Sequence, residues 1–251
     1  MSDEAQIVEA EKPKKEEKKR APQKPAQRVG VVINGYGNPD GLRKCINSAL
    51  AQKLPQRVNT EIVVICHDGT LKGAEACKEF AGKIKAGYLH NLFPEGCARD
   101  AGVEMLGAFD LIVFVDGQDS IAPNHIESII NARRPNTLSA YRTGQPSEDG
   151  HQPAPFDGIA WEAKAYWKLA PHKHIFAFGS EELAVRAVAE DISIIDVEVP
   201  SYQPSSEESL KQYIKKLNIN FFSSGRKAVA MAKRGEPVME KKRSIKVYNL
   251  V

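Results

Sequence analysis

Short apolar runs alternate with amphipathic segments along the first half of the chain. The apolar runs are "RVGVVING" at 28–35, "TEIVVICHDGT" at 60–70, "AGYLHNL" at 86–92 and "FDLIVFVD" at 109–116. The segments between them, at 38–52, 72–86 and 95–108, have the composition and spacing of helices. Continuous apolar strands that alternate with helices predict a mostly parallel α/β sheet with helices on both faces.

The second half of the pattern is less regular. Further strands are predicted in "LSAYRTG" at 138–144 and in "ISIIDVEVP", and helices in "GSEELAVRAVAE" and over 205–235, where a helix pair is the alternative to one helix. The stretch "IAWEAKAYWKLAP" is predicted to contain a strand and a short helix. The polar, proline-rich stretch at 145–158 is typical of a loop that shapes a substrate site. Trp161 and Trp167 are candidates for stacking on a ligand, although the helical spacing of Trp167 favours a place in the core.

Composition divides the chain into three parts. Residues 1–28 mix Lys, Glu and Pro with few large apolar side chains, which predicts a disordered tail. The folded domain is predicted over 29–202, and residues 203–251 are predicted to form a helical extension with a basic end. The four cysteines lack metal-binding spacing and are expected to be free thiols. No apolar run is long enough to span a bilayer, so a cytoplasmic location is expected.

Polar residues follow the ends of several predicted strands. Asn34 ends the first, His67 and Asp68 follow the second, and Asp116 and Asp119 follow the fourth. Ligands of parallel α/β sheets bind outside the carboxyl ends of the strands, and carboxylates there can coordinate a divalent cation that neutralises a diphosphate. The alternative is purely structural: Asp119 begins a turn ahead of Pro123, and Asp116 caps a loop.

Four motifs in order resemble those of family-two glycosyltransferases of the GT-A fold. They are "VGVVINGYGNPDGLRKCINSALAQ", "EIVVICHDGT", "EGCARDAGVEMLGAFDLIVFVDGQDSIAPNHI", and "FGSEELAVRA" with "ISIIDVEVPSY", and together they cover about residues 29 to 202. The resemblance implies a Rossmann-like, three-layer α/β/α domain that binds a nucleotide-diphosphate sugar. It also implies a divalent cation, Mn²⁺ or Mg²⁺, and transfer of the sugar to an acceptor hydroxyl with inversion.

The resemblance assigns roles residue by residue. Tyr36, together with Asn34, would border the nucleoside, and Asp68 would contact the base, with His67 where the family usually has a first aspartate. Arg99 and Asp100 match an Arg-Asn pair. Asp116 matches the first aspartate of the metal motif, and Asp119 is the second metal ligand. Here Gln118 stands where the family's Asp-x-Asp-Asp motif has an acid.

Inverting transfer needs a carboxylate that accepts the acceptor's proton. Glu181 and Glu182, at the start of a predicted helix, resemble the acidic pair from which the family draws this base, and we rank Glu181 first. The alternative is that acids in a first helical turn complement the helix dipole, with Glu182 paired to Arg186. His172 and His174 are candidates for binding phosphate or acceptor, or are ordinary surface residues.

The function expected from these residues is that of a hexosyltransferase-type glycosyltransferase, with UDP as the first choice of donor nucleotide. The acceptor is open among carbohydrate, lipid, protein and nucleic acid. One alternative is a catalytically inactive relative that binds a nucleotide sugar. Another is a sugar transferase acting on a hydroxylated base in DNA, because basic segments at 12–28 and 226–246 could contact phosphate or an anionic surface.

Overall fold

The computed structural model describes most of the central part of the chain. The described residues are 27–36, 38–67, 71–89, 95–143, 159–172, 183–184, 186–187, 189–197 and 247–249. The strands are β1 (Gln27–Gly35), β2 (Val58–Cys66), β3 (Lys85–Leu89), β4 (Leu111–Asp116), β5 (Ser139–Thr143), β6 (Ala160–Glu162), β7 (Ser193–Val197) and β8 (Val247–Asn249). The helices with full bounds are α1 (Pro39–Leu50), α2 (Lys72–Lys78), α3 (Glu95–Met105), α4 (His125–Ala132) and α5 (Ala163–Leu169).

The described strands form one mixed sheet in the order β7-β5-β6-β4-β1-β2-β3-β8. Strands β3, β2, β1 and β4 are mutually parallel, as the alternating pattern predicted. Strand β6 lies antiparallel between β4 and β5, and β8 pairs antiparallel with β3. The sequence indicated neither antiparallel pairing, because a three-residue strand has too little periodicity to reveal its direction.

Helices cover both faces of the sheet, which confirms the three-layer architecture. Alternate residues of each central strand face opposite sides: Val31 and Ile33 of β1 pack with α1, α2 and α4, whereas Val32 packs with α3 and α5. The central strands are therefore buried on both faces, which explains their uninterrupted apolar runs.

The start of α1 is fixed by local signals. The Asn38 side chain accepts a hydrogen bond from the Asp40 backbone N–H, and Pro39 occupies the first helical turn. The helix then buries Leu42, Ile46 and Ala49 at helical spacing. Its N-terminus is thereby fixed beside the carboxyl end of β1.

Two details differ from the sequence expectations. Helix α2 ends at Lys78 instead of continuing to residue 86, and the chain turns through Gly82, whose φ is +77°. The expectation that Trp167 belongs to the core is wrong: 58% of its surface is exposed, whereas Trp161 is fully buried. Helix α5 buries Ala165, Tyr166 and Leu169, so position 167 faces outward.

The four cysteines are free thiols, as expected, and the structure shows that all of them are buried. In the part of the chain that the structure describes, no helix has the length and apolarity needed to cross a bilayer.

Candidate functional site

The site lies where the order of the sheet reverses, between β1 and β4. The chain runs from β1 outward to β2 and β3 and then returns to β4 on the other side of β1. Asn34 pairs in register with Asp116, and Gly35 pairs with Cys66. The strand ends that carry Asn34, Asp116 and His67 therefore meet at one edge, as the sequence predicted.

The turn after β4 packs tightly against β1. The Gly117 N–H donates to the Asn34 carbonyl at 3.0 Å, and a Cβ atom at Gly117 would lie 2.3 Å from that carbonyl oxygen. Only glycine fits so close to the neighbouring backbone. This contact fixes the position of Asp116 relative to β1.

Negative charge is concentrated around Asp116. The carboxyl group of Asp116 is partly buried, Asp119 is 4% exposed, and Glu95 begins α3 nearby. Desolvation, followed by repulsion from Asp119 and Glu95, raises the pKa of Asp116 to about 7, although a hydrogen bond from the Gln118 N–H and the charge of Arg99 oppose this. A cation bound beside these carboxylates would favour their ionised forms.

Arg99 supplies positive charge beside these acids. Its side chain is fully buried, bonds Glu95 one helical turn away at 2.5 Å, and places its guanidinium carbon 5.2 Å from the centre of the Phe114 ring. An arginine fixed in this way can stabilise a phosphate group or the acids themselves. Glu95 was missed by the sequence analysis; its position at the N-terminus of the helix that carries Arg99 was the available signal.

Asn34 brings an unsatisfied polar group to the same edge. Its side chain is 1% exposed, and neither its Oδ1 nor its Nδ2 atom has a hydrogen-bond partner among the residues that the structure describes. Buried amides normally find partners, so an unpartnered one at a strand end is a candidate for contact with a ligand.

Two aromatic rings flank the other side of the edge. The Tyr36 and His67 ring centroids are 5.8 Å apart and tilted by 39°. His67 is buried and its backbone N–H donates to the Gly35 carbonyl, which joins the ends of β1 and β2. Tyr36 is partly exposed, so within this pair its ring is the one that a planar ligand could contact.

Asp100 forms hydrogen bonds with other residues of the protein. It accepts hydrogen bonds from the Tyr166 hydroxyl at 3.1 Å and from the His172 backbone N–H at 3.0 Å, and it lies 2.6 Å from His172 Nδ1. The His172 side chain is fully buried and contacts the edge of the Phe114 ring. The reading of His172 as an ordinary surface residue is therefore wrong, and this network instead ties the chain after α5 to α3.

The carboxylates fit a divalent cation only in part. Among the described residues, no group of three His, Cys, Asp or Glu side chains is arranged to hold a metal ion. Magnesium, however, is commonly held by one or two carboxylates together with substrate phosphates. Asp116 and Asp119 match that smaller set, and a bound cation would offset the burial and the repulsion from Asp119 that raise the pKa of Asp116.

The structure brings together Asn34, Tyr36, His67, Arg99, Asp116 and Asp119 at the predicted edge of the sheet. Asp68, His174, Glu181 and Glu182 lie outside the described residues. The helix that follows the two glutamates is described in part, with Leu183 buried and Arg186 donating to the carbonyls of Leu169 and Pro171.

No protein-family model and no curated protein matches the sequence. Solved structures do match. The mannosyltransferase PcManGT from Pyrobaculum calidifontis, in complex with GDP-Man and Mn²⁺, aligns with a TM-score of 0.59 and 13% identity over 75% of this chain and 62% of its own. S. aureus TarS 1–349 in complex with UDP-GlcNAc aligns with a TM-score of 0.55 and 11% identity over 71% of this chain and 60% of its own.

This chain thus spans about three fifths of the length of those proteins. At such low identity the match concerns architecture alone. The fold is GT-A-like, as the motifs implied.

Proposed function

We propose that the protein is a glycosyltransferase that moves a sugar from a nucleotide-diphosphate donor to an acceptor hydroxyl. The observation that carries this proposal is the edge formed by Asn34, Asp116 and Asp119 at the reversal point of a GT-A-like sheet. Fold alone does not define function, but this edge combines a buried unsatisfied amide, clustered carboxylates and an aromatic pair. The amide could form a hydrogen bond with a nucleotide, the carboxylates could hold a cation beside its diphosphate, and the aromatic pair could contact its base.

In this proposal the base lies near Tyr36 and His67, with Asp68 as a further contact. Asp116 and Asp119 hold a divalent cation, Mn²⁺ or Mg²⁺, which when bound neutralises the departing diphosphate. Arg99 keeps Glu95 paired and so limits the negative charge that the diphosphate meets. The hexosyl donor is a UDP-sugar by the family resemblance.

The proposed general base is Glu181, with Glu182 as the second choice. A single carboxylate that takes the acceptor's proton while the anomeric carbon is attacked from the opposite face gives inversion. Among the described residues that precede and follow this pair, the His172 backbone N–H donates to Asp100, and Arg186 donates to the carbonyl of Leu169 at the end of α5.

The test is a calorimetric and thermal-shift titration with UDP, GDP and CDP, each with and without Mn²⁺. We expect one nucleotide to raise the melting temperature in a Mn²⁺-dependent manner, and Asp116→Asn to abolish that dependence. Binding of a nucleotide sugar without turnover would identify an inactive relative. Absence of binding for all three nucleotides would contradict the proposal.

A second candidate acceptor is a hydroxylated base in DNA. The segment 226–246 has eight Lys or Arg residues and two Glu residues, a local balance of +6. It leads directly into β8, and Val247 pairs with Leu89 at the carboxyl end of β3. Val247, the first residue after this basic segment, therefore lies at the edge of the sheet that carries the candidate site.

Salt dependence tests the nucleic-acid candidate. The affinity for a short duplex containing hydroxymethylated pyrimidines should fall with salt by about 0.9 log units per log unit of salt for each phosphate neutralised. Replacing Lys241, Lys242 and Arg243 with Gln should flatten that dependence. An affinity that does not change with salt would exclude this acceptor class.

A further inference from the structure

Gln118 occupies the position where the family motif has an acid, but its side chain contacts the turn between β1 and α1. Its Nε2 atom donates to the backbone carbonyl of Tyr36 at 2.5 Å and lies 3.3 Å from the carbonyl of Asn38. These two residues flank the turn between β1 and α1. The side chain therefore joins the turn after β4 to the turn after β1, across 82 residues of sequence.

The first turn of α1 is shaped to accept this side chain. A Cβ atom at Gly41 would lie 2.4 Å from Gln118 Oε1, so the carboxamide packs against the bare backbone of the helix. An acid at position 118 would not fit this environment. An ionised carboxylate has no N–H to donate, and it would face the carbonyl oxygens of Tyr36 and Asn38 with a negative charge.

The turn held by Gln118 carries the ring that lies beside His67. Tyr36 and His67 form the aromatic pair described above, and Asn38 caps α1. Movement of this turn would change the separation of the two rings and the position of the helix N-terminus. The site for a planar base therefore depends on a contact that Gln118 makes at the backbone.

We propose that Gln118 is a positioning residue, which holds the β1–α1 turn and the Tyr36 ring in place for the base of a nucleotide. In this proposal Gln118 does not bind the metal ion. The choice of a nucleotide as the ligand rests on the proposed function, whereas the contact of Gln118 with the β1–α1 turn does not depend on it. In this chain position 118 needs a neutral hydrogen-bond donor, and the acid that the family has at this position cannot donate that hydrogen bond.

The two readings of position 118 predict opposite effects of restoring an acid. If Gln118 positions the turn, Gln118→Asp and the isosteric Gln118→Glu should each weaken Mn²⁺-dependent binding of UDP or GDP, by about fivefold to tenfold, the scale of one lost hydrogen bond. If position 118 belongs to the metal set, Gln118→Asp should tighten that binding. Tighter binding would overturn the proposal.

Gly41→Ala separates positioning from stability. The added methyl group displaces the end of the Gln118 side chain, whereas alanine favours the helix more than glycine does. We expect a melting temperature equal to or above that of the wild type together with weaker nucleotide binding. Unchanged nucleotide affinity in this variant would contradict the proposal. With a turnover assay, the loss should appear in KM for the donor and not in kcat.

Gln52→Glu is the matched control. Gln52 also joins two segments through its side chain, donating to the carbonyls of Ser48 and Ala122 and accepting from the Ile126 N–H. Gln52 lies just beyond the C-terminal end of α1, roughly 18 Å along the helix axis from the N-terminal end that Gln118 contacts, at 1.5 Å per residue. This variant should lose stability but keep the wild-type nucleotide affinity. An equal loss of affinity in Gln52→Glu would show a general structural effect and overturn the proposal.

Amide hydrogen exchange over residues 34–41 tests the contact without any ligand. Exchange should be faster than in the wild type in Gln118→Glu and Gly41→Ala, and unchanged in Gln52→Glu. If the wild type binds none of the nucleotides, the proposed function fails while faster exchange still supports the role of Gln118 in holding the turn. Unchanged exchange in both variants would refute that role.

Discussion

The ionised form of Asp116 is energetically unfavourable in the folded protein. Burial and the carboxylates of Asp119 and Glu95 raise its pKa to about 7 from an ordinary value of 3.8. Between about pH 4 and pH 7 the folded protein therefore keeps a proton that the unfolded chain releases. The free energy of unfolding falls as the pH rises through that window, and the full cost of the charge is present above it.

Asp116→Asn should therefore stabilise the metal-free protein at high pH. We expect a higher melting temperature than that of the wild type at pH 8 in the presence of a chelator, and a difference that shrinks towards pH 4. Thermal unfolding between these pH values measures the effect. Asp191→Asn, on an exposed turn where φ is +55° and Asn is tolerated, is the control and should show no such trend. A lower melting temperature for Asp116→Asn at pH 8 would contradict the assignment.

The proposed base gives a second prediction at the scale of single residues. Glu181→Gln keeps the size of the side chain but removes its ability to accept a proton, so donor turnover should fall by about 10² to 10⁴ while nucleotide binding is retained. Steady-state kinetics and calorimetry on the same preparation measure both quantities. If Glu182→Gln has this effect and Glu181→Gln does not, Glu182 is the base.

At the scale of elements, a buried ion pair joins the end of α4 to β6. Arg133 contacts Glu162 through two nitrogens at 2.6 and 2.8 Å and also donates to the Asp110 carbonyl, and the Tyr141 hydroxyl donates to Glu162 at 3.1 Å. The Arg133 and Glu162 side chains are only 7% and 2% exposed. The contacts fix the antiparallel strand β6 beside β4, where Glu162 pairs with Leu111 at the amino end of β4.

Arg133→Met should lower the free energy of unfolding by about 3–5 kcal/mol, because it leaves the charge of Glu162 buried without its partner. Urea denaturation measures the loss. The matched control is Arg43→Met, which breaks the exposed pair with Glu79 and should lower the free energy of unfolding much less, because solvent screens that pair. Equal effects of the two substitutions would show that the buried pair has no special weight.

At the scale of the whole molecule, β8 covers the outer edge of β3. Its three residues pair with Gly87, Tyr88 and Leu89, so the last part of the chain closes one side of the sheet. An uncovered edge strand presents unpaired backbone groups to other chains. Residues Val247–Asn249 are thus part of the sheet.

Deleting residues 247–251 should lower the free energy of unfolding by about 1–3 kcal/mol, the scale of a few backbone hydrogen bonds, and promote self-association. Denaturation and light scattering measure the two effects. Deleting residues 250–251 alone keeps the strand and should leave both quantities unchanged. Wild-type stability of the longer deletion would show that β8 contributes nothing to the sheet.

The sequence by itself determined the central sheet and much of the edge that carries the site. Strands buried on both faces must be apolar throughout, so the runs that became β1, β2 and β4 were recognisable, and Asn34, His67 and Asp116 could be placed at their ends. Parallel strands put those ends at one edge whatever the details of packing. The free state of the cysteines followed from their spacing in the same way.

Only the tertiary structure decided which distant segments meet. The contact of Gln118 with Tyr36, the effect of Glu95 on Asp116, the insertion of β6 beside β4 and the exposure of Trp167 all depend on residues far apart in sequence or on which face of an element is covered. A local pattern records the period of an element and its degree of burial. It does not record the partner across the sheet, because that partner is chosen by the packing of the whole domain.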